Sequence, residues 1–204
     1  DPNYVMFDLE GASSDLEEPE NREKVYLWGM QVFGTDQGEF LPALAGFVEH
    51  GDEEGWVEFL RIARRLLDES DGIRFVHWAG YEKTKIEQYM RRYEKTDVTT
   101  AAEVLDSLVD LLPITREAVA LPLPGYSLKV VETLPQLTEV TGFSRSTEDV
   151  KKGDDSIAVY MEAVETQDPA RRDELMGQLA DYNREDLVAT WAVQCWLRHL
   201  DGSS

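Results

Sequence analysis

The chain has 204 residues and a formal charge of −21, from 41 acidic against 20 basic residues. That length fits one domain with a sizeable core, and no stretch approaches the roughly 20 apolar residues that would cross a bilayer. Phosphate affinity usually comes from Lys and Arg, so this charge predicts a weak nucleic-acid binder, or one that borrows a basic surface from another domain. Nothing reads as a signal peptide. The single cysteine, Cys195, excludes an internal disulfide and a cysteine-built zinc site, and a cytoplasmic location is expected with it. Cys195 stands among Trp191, Val193, Trp196 and Leu197 and reads as a buried helix residue. Beginning Asp1-Pro2 and entering a strand at once, residues 1–204 read as a single domain of a longer polypeptide.

Residues 3–10 read as a buried strand that ends on Asp8 and Glu10. The segment 11–23 is a polar loop without apolar period. Lys24 to Phe33 predicts a second strand, and Glu39 to Phe47 a third that pairs back through Thr35-Asp36-Gln37-Gly38. The chain therefore opens with three antiparallel strands. From Glu53 to Glu69 the stripe Trp56, Phe59, Leu60, Ala63, Leu66, Leu67 has helical spacing. Ile73 to Trp78 is a short strand, and Tyr81 to Tyr93 a helix with Ile86, Tyr89 and Met90 facing inward. Leu105 to Ile114 is apolar, a strand or a helix end. Ser127 reads as the cap of a short helix through Leu134. The stretch 144–156 is charged and expected to be mobile. Residues Ser156 to Glu165 and Pro169 to Arg198 finish the chain as helices, the second interrupted or bent near Asp181 and Tyr182. A mixed sheet flanked by helices follows, an α/β protein.

Three stations carry chemistry. Asp8 and Glu10, at i and i+2 on a strand, point to one side of the sheet. His77-Trp78-Ala79-Gly80-Tyr81-Glu82 ends a strand, turns on glycine, and brings a carboxylate to the start of a helix. There Glu82 also complements the helix dipole, and His77 reads first as a core histidine and second as a substrate contact. Tyr182 and Asp186, at i and i+4, share one helix face. Bringing these stations together concentrates acidic oxygens, which is costly unless divalent cations neutralise them. Asp15, Asp154 and Asp155 are candidate extra ligands, although loop acids in so acidic a chain read first as solvated.

Together the stations resemble the motifs of the DEDD-type 3′–5′ exonucleases of the ribonuclease H-like fold. Asp8 and Glu10 match the first motif, and Tyr182 with Asp186 matches the third in its tyrosine form; the histidine form would need His where Asp181 stands. The second motif normally has Asp after an aromatic, where this chain has Glu82 after Tyr81. A narrower resemblance rests on His77 to Thr84, Val109-Asp110-Leu111-Leu112, Ser127-Leu128-Lys129, Tyr182 to Asp186 and Ala189-Thr190, in this order. This combination is similar to the exonuclease-like ribonuclease H domains often attached to RecB-like nuclease modules, a group in which the second motif commonly carries Glu.

The resemblance implies a three-layer α/β/α fold with a central mixed sheet, and a nuclease using two ions of Mg²⁺ or Mn²⁺. In that reading Asp8, Glu10 and Asp186 hold one ion, Asp8 bridges toward a second, and Glu82 binds the second directly or through water. Tyr182 orients the attacking water. The backbone of Leu9 and Gly11 meets a terminal nucleotide, and Lys83 and Lys129 are candidate phosphate contacts, although a surface role comes first for both lysines. Asp110 and Ser127 read as supporting or capping residues. The partners implied are nucleic acid, DNA ahead of RNA, and a fused or associated nuclease or helicase-type domain, with no membrane. Two other classes remain: a binding or regulatory module that has kept the fold and lost turnover, and a metal-dependent endonuclease.

Overall fold

The first strand, β1 (Tyr4–Ala12), separates its side chains by alternation. Val5, Phe7 and Leu9 enter one apolar cluster with Trp56, Phe59 and Ile86. Met6 enters another with Val76, Leu187 and Val193. Asp8 and Glu10, in step with Met6, are therefore on the side of the second cluster. The computed structural model describes residues 2–12, 24–47, 51–121, 124–146 and 153–202, with the backbone alone at 153–155. Asp15 and the side chains of Asp154 and Asp155 lie outside the described residues, as do residues 147–152 of the charged stretch expected to be mobile.

Two antiparallel strands follow, β2 (Lys24–Phe33) on β1 and β3 (Leu41–Leu44) on β2. β3 is shorter than expected. It is an edge strand carrying Pro42, which has no N–H to give to a further neighbour. Then come α1 (Gly51–Glu69), β4 (Arg74–His77), α2 (Tyr81–Arg92), α3 (Val98–Ser107) and β5 (Leu108–Asp110), with β4 parallel to β1 and β5 parallel to β4. The sheet order is β3-β2-β1-β4-β5. The remaining elements are α4 (Leu111–Ala118), α5 (Leu128–Val131), α6 (Pro135–Thr141), α7 (Gly153–Glu165) and α8 (Pro169–Leu200). Helices α1, α2 and α3 cover one face; α8 crosses the other, with α4, α5, α6 and α7 packed against it. The result is a three-layer α/β/α arrangement around a mixed sheet.

Several elements depart from the sequence reading. Helix α3 was not foreseen, because Val98-Thr99-Thr100 is β-branched; its start is fixed by Asp97, whose carboxylate accepts from Thr100 N at 3.1 Å and from the Thr100 hydroxyl at 2.6 Å. The apolar run 105–114 divides between α3, β5 and α4. The helix expected through Leu134 stops at Val131, and Pro135 opens α6 instead, at a position that favours proline. Helix α8 is one unbroken helix of 32 residues, with no interruption at Asp181 or Tyr182. The apolar stripe falters there only because Tyr182, Asn183 and Asp186 occupy its inward face, where they are buried. Cys195 is half-buried on this helix rather than buried.

Two local features set the distance between α8 and the sheet. Pairing steps from Glu10↔Leu27 to Gly11↔Val25, leaving Tyr26 unopposed in a bulge. The bulge shifts the alternation of β2, so that Val25 and Trp28 face α1 while Tyr26 and Leu27 face α7 and α8. Gly29, opposite Asp8, faces α8 at close range: a Cβ added there would lie 1.7 Å from Asn183 Oδ1. Glycine is needed for the approach itself, not for a backbone angle. Gly29→Ala should force Asn183 out and destabilise the fold by about 2 kcal/mol, or ~4–8 °C in melting temperature. Thermal denaturation followed by circular dichroism in chelator measures this, and an unchanged midpoint would contradict it.

Candidate functional site

Asp8 and Glu10 come to the site from β1 and Asp186 from α8, and carboxylate oxygens of all three lie within 4.8 Å of one another. Strand alternation delivers the first two, and helical spacing puts Asp186 on the same face as Tyr182. Each is held by a neighbour that donates. Asn183 Nδ2 donates to Asp8 Oδ2 at 2.7 Å. The Ser156 hydroxyl of α7 donates to Glu10 Oε2 at 3.2 Å, and accepts from the Tyr26 hydroxyl at 3.3 Å. The bulge at Tyr26 is what turns that phenol toward α7, where its ring stacks on Tyr160 with centroids 4.1 Å apart.

Asp186 is held by cations. Lys129 of α5 pairs with Asp186 Oδ1, its ammonium 4.3 Å from the centroid of the Tyr182 ring. Arg145, just beyond α6, reaches the same oxygen through Nη2 at 2.6 Å. The same guanidinium forks onto Glu132, Nε to Oε1 at 2.7 Å and Nη2 to Oε2 at 2.6 Å, and its Nη1 lies 3.4 Å from Glu185. Arg145 belongs to the stretch expected to be mobile, yet three carboxylates hold it.

Glu82 stands apart from the three clustered carboxylates. It sits in the first turn of α2, buried, with His77 Nδ1 3.1 Å from its Oε2. Its charge nevertheless reaches Asp8. The preceding turn is fixed by Asp110, which accepts from Ala79 N at 2.9 Å and from Leu112 N at 2.9 Å, so that it both caps α4 and holds the turn. Ala79 has a φ of 69°, a left-handed conformation that a non-glycine residue adopts at a cost of about 1 kcal/mol or more. The backbone before Glu82 is thus held in one shape by a side chain from β5.

The other residues singled out from sequence separate by position. His77 is 2 % exposed and its contact is with Glu82 rather than with solvent. Leu9 turns its side chain into the core on the opposite face, leaving only its backbone near Asp8 and Glu10. Gly11 is half-buried beside the bulge, and Lys83 is exposed on α2. Ser127 precedes α5 without a side-chain capping bond. Sequence reasoning missed Arg145, Glu132, Asn183 and Ser156. Asn183 had a signal, its place directly after Tyr182; Arg145 and Glu132 had none, since their pairing spans 13 residues of unpatterned chain.

Burial and neighbouring negative charge disfavour the charged forms of Asp8 and Glu10. Asp8 is pushed well above its ordinary value of 3.8, by burial first and then by the charges of Asp186, Glu10 and Glu82, with Lys129 opposing. Glu10 rises from 4.5 to about 7, by burial and then Asp186, against the Ser156 hydrogen bond and Lys129. Burial also raises Glu82, with His77 opposing. The Tyr182 phenol is raised by burial and by Asp186 and Glu10, so it keeps its proton. An all-oxygen donor set of this kind suits a hard divalent cation such as Mg²⁺ or Mn²⁺, whose charge would offset the burial and repulsion that raise Asp8 and Glu10. Asp8, Glu10 and Asp186 therefore fit a metal.

A pH dependence follows for the metal-free protein. The folded chain keeps the Glu10 proton up to about 7, whereas the unfolded chain loses it near 4.5. Stability from this group is full below 4.5 and is lost as pH rises through about 7. In chelator the melting temperature should fall between about pH 5 and pH 8, and Glu10→Gln should flatten that fall. A slope unaltered by the substitution would contradict the assignment.

Compared with protein-family models, residues 5–198 match RNase_H_2, a model of the RNase H superfamily. The curated proteins contain no match to this chain. The matched span begins in β1 and ends in α8, taking in the whole sheet and all the acidic stations. A mixed sheet between helices, with acids meeting from its first strand and last helix, accords with that match: this chain belongs to the RNase H superfamily.

Proposed function

We propose that this chain is a divalent-metal-dependent nuclease that hydrolyses phosphodiester bonds of nucleic acid, acting as a 3′–5′ exonuclease on DNA ahead of RNA. The observation that carries the reading is the meeting of Asp8, Glu10 and Asp186 within 4.8 Å in a half-buried, self-repelling group. These three would hold an ion, and Glu82, whose charge is felt at Asp8, would serve a second. Bound Mg²⁺ or Mn²⁺ would supply charge stabilisation at the phosphate and an acidified water.

The protein's own groups divide the remaining work. Tyr182 keeps its proton and so orients a water by donating, not by abstracting. Asn183 and Ser156 hold Asp8 and Glu10 in one orientation each. His77 holds Glu82. Lys129, a third exposed at its side chain, has the reach to leave Asp186 and meet a phosphate. A second reading, a binding or regulatory module without turnover, draws support from the two cations already paired with Asp186.

End-labelled DNA and RNA, single- and double-stranded, incubated with Mg²⁺ or Mn²⁺ and with chelator, decide between these. Asp8→Ala and Asp186→Ala should each lower cleavage by more than about 100-fold, beyond the usual cost of losing an outer partner of a metal site. Metal-dependent cleavage that survives in both variants would remove the site assignment. A wild-type chain inert on every substrate would favour the module. Stepwise shortening from the 3′ end marks an exonuclease, and internal cuts an endonuclease. Tyr182→Phe should reduce kcat by about 100-fold with KM little changed; a change confined to KM would reassign the phenol to substrate binding.

A further inference from the structure

We propose that Arg145 is a positioning residue that keeps Asp186 turned toward Asp8 and Glu10, itself held in place by Glu132. The proposal rests on the metal-site reading of the three carboxylates. Its basis is the geometry of one guanidinium. Nε and Nη2 fork onto both oxygens of Glu132, at 2.7 and 2.6 Å, and Glu132 is 8 % exposed at the end of α5. That pairing fixes the plane of the group. The second hydrogen of Nη2 then has one direction left, and Nη2 donates it to Asp186 Oδ1 with the two heavy atoms 2.6 Å apart, while Nη1 faces Glu185 one residue earlier on α8.

The two cations on Asp186 therefore differ in kind. Lys129 makes a point contact, without a fixed plane, from a side chain 33 % exposed. Arg145 is 17 % exposed and has every bonded nitrogen committed to a carboxylate. Charge alone would make Arg145 a competitor for any cation at this site. Its use is in orientation: a donor held in one plane fixes one Asp186 oxygen, and with it the rotation of a carboxylate that has an oxygen within 4.8 Å of those of Asp8 and Glu10. An ammonium cannot reproduce this, because a planar fork is needed to bind Glu132 through two nitrogens and reach Asp186 as well.

Two substitutions that conserve charge separate orientation from electrostatics. Arg145→Lys retains the cation and loses the fork; Glu132→Asp retains the anion and shortens its reach. Mn²⁺ is titrated into each full chain, with the electron paramagnetic resonance signal of free Mn²⁺ reporting affinity. Metal-free melting temperatures in chelator are recorded alongside. Both variants should bind Mn²⁺ about 10-fold or more weakly than wild type. A lowered metal-free melting temperature with unchanged Mn²⁺ affinity would mean that the pair is only a structural link, and would overturn the proposal. So would loss in Arg145→Lys without loss in Glu132→Asp, since Glu132 would then not be what holds the guanidinium. Equal binding in all three proteins overturns this proposal and leaves the metal site standing. A wild-type chain that binds no Mn²⁺ removes the metal-site reading, and this proposal with it.

Discussion

Repulsion among Asp8, Glu10 and Asp186 is the constraint around which this molecule is organised. Three carboxylates lie within 4.8 Å of one another, and burial and the neighbouring charges raise the pKa values of Asp8 and Glu10. A fold that keeps them together must anchor each from elsewhere. Here the anchors come from four separate places: Asn183 on α8, Ser156 on α7, Lys129 on α5 and Arg145 beyond α6. The sheet supplies the rigid floor, and the helices packed on and around α8 supply hydrogen bonds and positive charge.

That division explains why glycine and a bulge sit where they do in β2. Gly29 lets α8 descend until Asn183 reaches Asp8, and the bulge at Tyr26 turns a phenol toward the serine that holds Glu10. Both set how near the acids' partners can come. On the opposite face the sheet packs against α1 through stacked aromatic rings of Phe7, Trp28 and Phe59, which fix β1 from behind. Tyr89 ties the same layer together, accepting from Val25 N and donating to the buried Asp52, which also pairs with Arg92.

The overall charge of −21 has a local counterpart. The chain places two of its few cations on one carboxylate of the acidic cluster, so the site is less negative than its acids alone would make it. Long-range attraction of a polyanion by a surface this acidic is weak. Under the proposed nuclease function, short-range contact through Lys129, with an ion among the carboxylates, would be the route for a phosphate.

Much of this was legible in the linear chain, and the boundary has a physical reason. Alternation around Val5, Met6 and Phe7 and the helical spacing of Tyr182 and Asp186 are local periodicities, and local periodicity is what a sequence displays. The opening three strands, the α1 stripe and the acids themselves could be read from it. The unbroken course of α8 could not, because polar residues on its inward face look like an interruption until the acidic cluster they join is known. The separate station of Glu82 beside His77, the 13-residue closure of Glu132 on Arg145 and the 175-residue bond from Asn183 to Asp8 depend on chain segments meeting in space. Sequence determined which faces carry the acids. Tertiary structure decided which of them meet and what holds them, because carboxylates that repel one another can be kept together only by partners brought from distant parts of the chain.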